Sequence, residues 1–289
     1  MKKLAIHVGL FVAACATTWL SGGPYFAGTL MGILLAHELG HYIVGRRLGV
    51  DISLPYFIPL PPGVSLGTMG AVINMRRPIG DRNSLFDVGA AGPIAGLCVA
   101  LPLLVIGLKM SPVGPPQPDS VIEGNSILYG LTKLAIFGRW LPSDGLDVNT
   151  HPMAFAAWVG LLITAVNLLP VGQLDGGHIA KAVMGEKHET FSLRLNQVLP
   201  VFGAAVGAFL AISAWRQGAD LAASLRYAQS GALPWLFWAG LLWLMRRRAG
   251  AYHPAVGDEP LSPWRKRAAF GMLVLWVLLF VPVPFRPVL

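Results

Sequence analysis

Met31-Gly-Ile-Leu-Leu-Ala-His37-Glu38-Leu39-Gly40-His41-Tyr-Ile-Val44 is the stretch on which the reading of this chain turns. It lies in an apolar run, 25–44, long enough to cross a bilayer as a helix. Histidines four apart on a helix project from nearly the same face, so both imidazoles can reach one Zn²⁺ while Glu38 sits beside the open coordination position. The plain alternative is three helix residues satisfied by one another or by water. In lipid, however, three ionisable groups within five residues are too costly to stand idle. The stretch therefore predicts a zinc hydrolase that works in a membrane.

Composition extends this reading outward. Hydrophobic residues make up 54% of the 289, charged residues 12%, and mean hydropathy is +0.60, outside the balance of a soluble globular chain. Apolar segments at 4–20, 25–44, 85–108, 153–171, 198–215, 233–245 and 268–282 predict an all-α polytopic membrane protein. Seven transmembrane helices is the expected count, with six if the short 233–245 segment fails. The first segment follows Lys2 and Lys3 like a signal peptide but lacks a small-residue cleavage site, so it is expected to remain as a helix. Placing the N-terminus in the cytoplasm puts 16 of the 22 Lys and Arg on that side, as the positive-inside rule requires. The net charge of +8 then needs no nucleic-acid partner, because Arg246-Arg247-Arg248 and Arg265-Lys266-Arg267 read as anchors against the lipid bilayer. Cys15 and Cys98 imply neither a disulfide framework nor a cysteine zinc site. Trp140, Trp158, Trp215, Trp235 and Trp264, near expected span ends, fit an interfacial belt.

Between the spans, residues 64–75 are β-prone, with glycines at 67 and 70, and fit a short hairpin dipping back toward the membrane or an ordinary surface loop. A hairpin at that depth would have to line a protein-walled or watery site. In the external 109–152, the stretch 121–141 could lie as a helix along the interface. The chain shows no internal repeat, and 1–289 reads as one membrane-embedded domain.

A catalytic zinc site takes three protein ligands plus water. The third should lie at the depth of His37 and His41, near the cytoplasmic end of another span. Span four ends in Asn167-Leu-Leu-Pro170-Val-Gly-Gln-Leu-Asp175-Gly176-Gly177-His178, where proline and glycines break the helix and Asp175 offers a carboxylate. Asp before glycine is also a common helix cap. His178 competes as a ligand, and Asp87 could simply cap the span that follows it.

Taken together, these residues resemble the site-2 protease family of intramembrane zinc metalloproteases. The resemblance rests on His37-Glu38-Leu39-Gly40-His41, on Gly92-Pro93-Ile94-Ala95-Gly96 and on the segment from Asn167 to Asp175-Gly176-Gly177. One departure is Leu168, where the family has the first proline of Asn-Pro-x-Pro. The resemblance implies a three-helix catalytic core within about 25–180, with further spans in 1–20 and 198–289. It implies zinc held by His37, His41 and Asp175, and Glu38 as the catalytic glutamate. It also implies Asn167, Gly67 and Gly70 as substrate-binding or oxyanion residues, the latter two on a membrane-re-entrant hairpin. The run from Leu85 to Pro93 looks most like the branch of cyanobacteria, chloroplasts and assorted bacteria, without PDZ or CBS domains, and a bacterial inner membrane is the expected location. The expected activity is intramembrane proteolysis of a membrane-anchored protein. The rivals are a metal-ion or proton transporter and a non-catalytic scaffold, and Glu38 between the two histidines argues against both.

Overall fold

The structure, a computed structural model, describes residues 2–62, 65–75, 77–116 and 121–287. Its elements run α1 (Lys2–Arg47), β1 (Tyr56–Pro59), β2 (Thr68–Val72), α2 (Arg82–Lys109), β3 (Val113–Gly114), β4 (Val121–Glu123), α3 (Ile127–Phe137), β5 (Asp147–Val148), α4 (Pro152–Asn167), α5 (Asp175–Met184), α6 (Lys187–Arg216), α7 (Leu221–Ala249), α8 (Pro263–Leu279) and β6 (Phe285–Pro287). The two expected N-terminal spans are the two limbs of α1, parted by a kink at Gly23, where φ is 78° and ψ is −177°. Pro24 sets that kink: its ring disfavours helical geometry at the residue before it, and glycine tolerates the positive φ that results.

Among the described residues, three helices are long and apolar enough to cross a membrane: α1, α2 and α6. The 16-residue α4 measures about 24 Å, short of a bilayer core. It is apolar all round and sits inside the bundle, its Ala156, Ala157, Trp158 and Val159 at or below 1% exposure. The expected short segment 233–245 is the second half of α7, a helix of 29 residues.

Small residues set the packing distances. Gly40 of α1 lies on the Ala91 backbone of α2, Gly107 of α2 on the Ala154 backbone, and Gly160 of α4 on Ile33 of α1, drawing these three helices into one core. Gly203, Gly207 and Gly231 do the same between α6 and α7. At one end of the bundle the helix connections meet: Gly257 N donates to Gly80 O at 2.8 Å, and Arg246 Nε donates to Glu189 at 3.2 Å. At the other end, β3 pairs with β5 and β4 with β6, both antiparallel.

Two expectations change here. The hairpin is not contained in 64–75: β2 pairs antiparallel with the upstream β1, Tyr56 opposite Val72 and Phe57 opposite Ala71, and Val64 lies outside the described residues. Nor do all the tryptophans form a belt. Trp158 is 1% exposed with Nε1 donating to Gly124 O, and Trp235 is 6% exposed with Nε1 donating to Pro282 O. These two are core residues whose one polar atom is satisfied inside, while Trp140, Trp215 and Trp264 are exposed.

Candidate metal centre

The kinked α1 carries His37, Glu38 and His41 into the bundle, where all three are buried. Asp175 reaches them from the first turn of α5. His37 Nε2 lies 3.1 Å from Asp175 Oδ2, His41 Nε2 lies 3.2 Å from Asp175 Oδ1, and the two Nε2 atoms are 3.1 Å apart. Among the described residues this is the one group of three such side chains with ligand atoms all within 4.8 Å of one another.

Several features fit a zinc ion there. A tetrahedron of 2.0–2.1 Å bonds has edges of about 3.3–3.4 Å, close to the spacing of these donors. His41 Nδ1 lies 2.7 Å from Val88 O. A carbonyl only accepts, so this nitrogen carries the proton and Nε2 presents its lone pair, the arrangement that orients a metal-ligating imidazole. Asp175 Oδ2 is buried and finds no hydrogen-bond donor in line, which a cation would explain. Two imidazoles and one carboxylate, with a fourth direction free, make the donor set of a catalytic zinc site.

The local sequence explains the geometry. Asp175 is not a cap: α5 has Leu174 as its N-cap residue with no side-chain cap bond, which leaves the Asp175 carboxylate free to face the histidines. A Cβ at Gly176 or Gly177 would strike the carbonyls of the preceding turn, so these glycines let α5 fold back on the chain end of α4. Leu168, where the resembled family has proline, donates its N–H to Thr164 O at 2.9 Å and carries α4 as far as Asn167. On α2, a Cβ at Gly92 would enter the His41 ring and one at Gly96 would crowd His37, so Gly92 and Gly96 form a cradle for both imidazoles.

The remaining expected residues divide. Asn167 Nδ2 lies 3.5 Å from His37 Nε2. Gly70 lines the same cavity as His37, Glu38 and Asn167, whereas Gly67 packs on the backbone of Thr17 and Thr18 in α1. That cavity, about 570 Å³, is otherwise apolar and continues along α7 past Trp238 and Leu241 to Phe285. His178 does not join the centre; its Nδ1 lies 2.7 Å from His253 Nε2. Asp87 is bound instead to Arg265 of α8 at 2.6 and 2.8 Å. Sequence reasoning missed the Val88 carbonyl, which no side-chain pattern can reveal, and His253, isolated in a connection.

A family model, Peptidase family M50, matches residues 25–210. Curated relatives include the probable zinc metalloprotease EGY2, chloroplastic, of Arabidopsis thaliana, 32% identical over 88% of this chain and 40% of that protein. The probable zinc metalloprotease EGY1, chloroplastic, of the same plant is 32% identical over 88% of this chain and 42% of its own length. EGY3, chloroplastic, of Oryza sativa subsp. indica, also named a probable zinc metalloprotease, is 26% identical over 73% and 38%. The chain thus spans about two fifths of the length of these relatives. Being chloroplastic, they lend no support to the expected bacterial inner membrane. No solved structure matches. With the family model over residues 25–210 and EGY1 and EGY2 matched over most of its length, the chain belongs to peptidase family M50, the site-2 protease family of membrane zinc metalloproteases.

Proposed function

We propose that this protein is a zinc-dependent intramembrane endopeptidase that cuts transmembrane segments of membrane-anchored proteins, with His37, His41 and Asp175 as zinc ligands and Glu38 as the catalytic glutamate. The observation that carries the reading is that His37 and Glu38 face one apolar cavity, large enough for a stretch of unwound polypeptide. When bound, zinc supplies Lewis acidity that polarises a carbonyl and makes water acidic near neutral pH. Glu38 takes the proton from the attacking water and returns it to the departing amide nitrogen, so the peptide bond is exchanged for a carboxylate and an amine.

A substrate helix hides its carbonyls in its own hydrogen bonds and must unwind before attack. Ala71 of β2 lines the cavity beside Gly70. A strand pairing along β2 would offset the backbone bonds lost on unwinding, with Gly67 and Gly70 shaping the edge and Asn167 holding substrate or oxyanion beside His37. In this reading 1–289 is one membrane-embedded domain of six or seven spans, with a core at 25–180, its N-terminus and most Arg and Lys on the cytoplasmic side, and its substrates delivered through the bilayer.

The test is Glu38→Gln in purified protein, with a tagged transmembrane fragment as substrate. Zinc content should stay at the wild-type level while cleavage falls by about 10²–10⁴-fold, the usual share of a general base. Cleavage at the wild-type rate in that variant would remove Glu38 from the mechanism.

A further inference from the structure

One helical turn beyond Asp175, a second group of imidazoles gathers that the chemistry above does not use. His178 of α5, His188 of α6 and His253 of the α7–α8 connection arrive from three elements. The His178 and His253 rings are 4.9 Å apart, and the His188 and His253 rings 5.8 Å apart at 90°.

The hydrogen bonds define the tautomers. His253 Nδ1 lies 2.8 Å from Pro254 O, so that nitrogen carries the proton and Nε2 is a bare lone pair. His178 Nδ1, 2.7 Å away, must then donate to it. One proton is thus held between two nitrogens at the same point. His188 is fully buried; its Nε2 lies 3.1 Å from Ser192 Oγ, and the Pro170 carbonyl neighbours its ring. Burial and the neighbouring His253 push His178 down to about 3, which keeps it in the neutral form that binds metals. Lys181, the cation that faces this group, is matched by Glu186 at 2.9 Å.

We propose that His178, His188 and His253 form a second site for a divalent transition metal of the zinc class, separate from His37, His41 and Asp175. On binding, the shared proton moves to His178 Nε2, so all three rings stay neutral and the Nδ1 of His178 and Nε2 of His253 both face the ion. Zinc bonds of 2.0–2.1 Å set such donors about 3.3 Å apart, so the pair opens by about half an ångström and His188 swings in as third ligand. The site forms on binding, since three donors within 4.8 Å occur among the described residues only at the first centre.

The experiment counts zinc per chain by elemental mass spectrometry on the full chain in detergent, equilibrated with Zn²⁺ alone. Wild type should bind two ions. A variant carrying His188→Asn and His253→Gln should bind one, and His41→Ala should bind one through the second site. Cobalt in the His41→Ala protein should give visible absorption that disappears when His253→Gln is added. His253→Gln lies in a partly exposed connection and can still accept from His178, so it separates loss of a ligand from loss of the fold. A wild-type count of one that vanishes with His41→Ala would overturn this site and leave the catalytic one standing. Two ions surviving His188→Asn with His253→Gln would overturn it as well.

Discussion

A methyl group added at Gly92 would enter the His41 ring at Nε2, and no ordinary side-chain adjustment in α2 could avoid it. Gly92→Ala should therefore destabilise the fold by about 1–3 kcal/mol through overpacking. It should also lower zinc affinity by about 10–100-fold, as losing the support of a ligand does. Gly32→Ala, where nothing lies within 4 Å, is the matched control and should leave zinc affinity unchanged while stability holds or rises by up to about 1 kcal/mol; equal zinc affinity in the two proteins would show that Gly92 does not support the site. Asp175→Ala should lose the ion of the first centre, one zinc per chain fewer than wild type, while α5 persists, because Leu174 rather than Asp175 stands at its N-cap. Full zinc occupancy in that variant, read by elemental analysis beside helix content by circular dichroism, would reassign the third ligand. The histidine pair was legible from spacing alone, since four residues on a helix fix a shared face. Asp175 was ambiguous by the same standard: Asp-Gly-Gly has the composition of a capped turn, and only the return of α5 onto α1 distinguishes ligand from cap.

Asp87 and Arg265 join α2 to α8 through two bonds of 2.6 and 2.8 Å, partly buried. Asp87→Asn should cost about 1–3 kcal/mol, less than a fully buried pair because both side chains retain some solvent. A double-mutant cycle with Arg265→Met, read by thermal unfolding in detergent, should recover most of that as coupling; independent effects would mean the pair carries no stability. The β1–β2 hairpin supplies an element-scale prediction about function. Gly70 has φ 95° with open space around its Cα, so Gly70→Val is strained by conformation and not by collision. Cleavage should fall roughly tenfold or more with zinc content unchanged, since a misaligned reactive stretch loses the gain of positioning; a fall in zinc as well would tie the hairpin to the metal centre. The hairpin was only half legible. Residues 68–72 carry a β signal, but their partner Tyr56–Pro59 is flanked by Pro55 and ends in Pro59, which mask a strand pattern. The first half of α7 was hidden similarly, because Arg226 and Gln229 interrupt a hydropathy window although the helix runs unbroken from Leu221.

At the scale of the whole molecule, three helices among the described residues have evident spanning length, and the two ends of the bundle set how it sits in a bilayer. The two ends differ chemically. One collects the Arg46–Arg47 end of α1, the start of α2, the Arg246–Arg248 end of α7 and the Arg265–Arg267 start of α8. The other holds the β3–β5 and β4–β6 pairs and the tight turn at Asp144, where φ is 52°. A membrane normal along the bundle puts these ends in different compartments, and the buried 24 Å α4 needs no lipid contact over its full length because α1 and α2 enclose it. In that placement the chain would cross three times between Asp144 and Asp258, with α4, α6 and α7. In a Cys15→Ser, Cys98→Ser background, single cysteines at Asp144 and the exposed Asp258 should be labelled by a membrane-impermeant maleimide from opposite faces of sealed vesicles. Labelling of both from the same face would mean that one of α4, α6 and α7 does not cross, and would remove the one-sided basic end from which the orientation is argued.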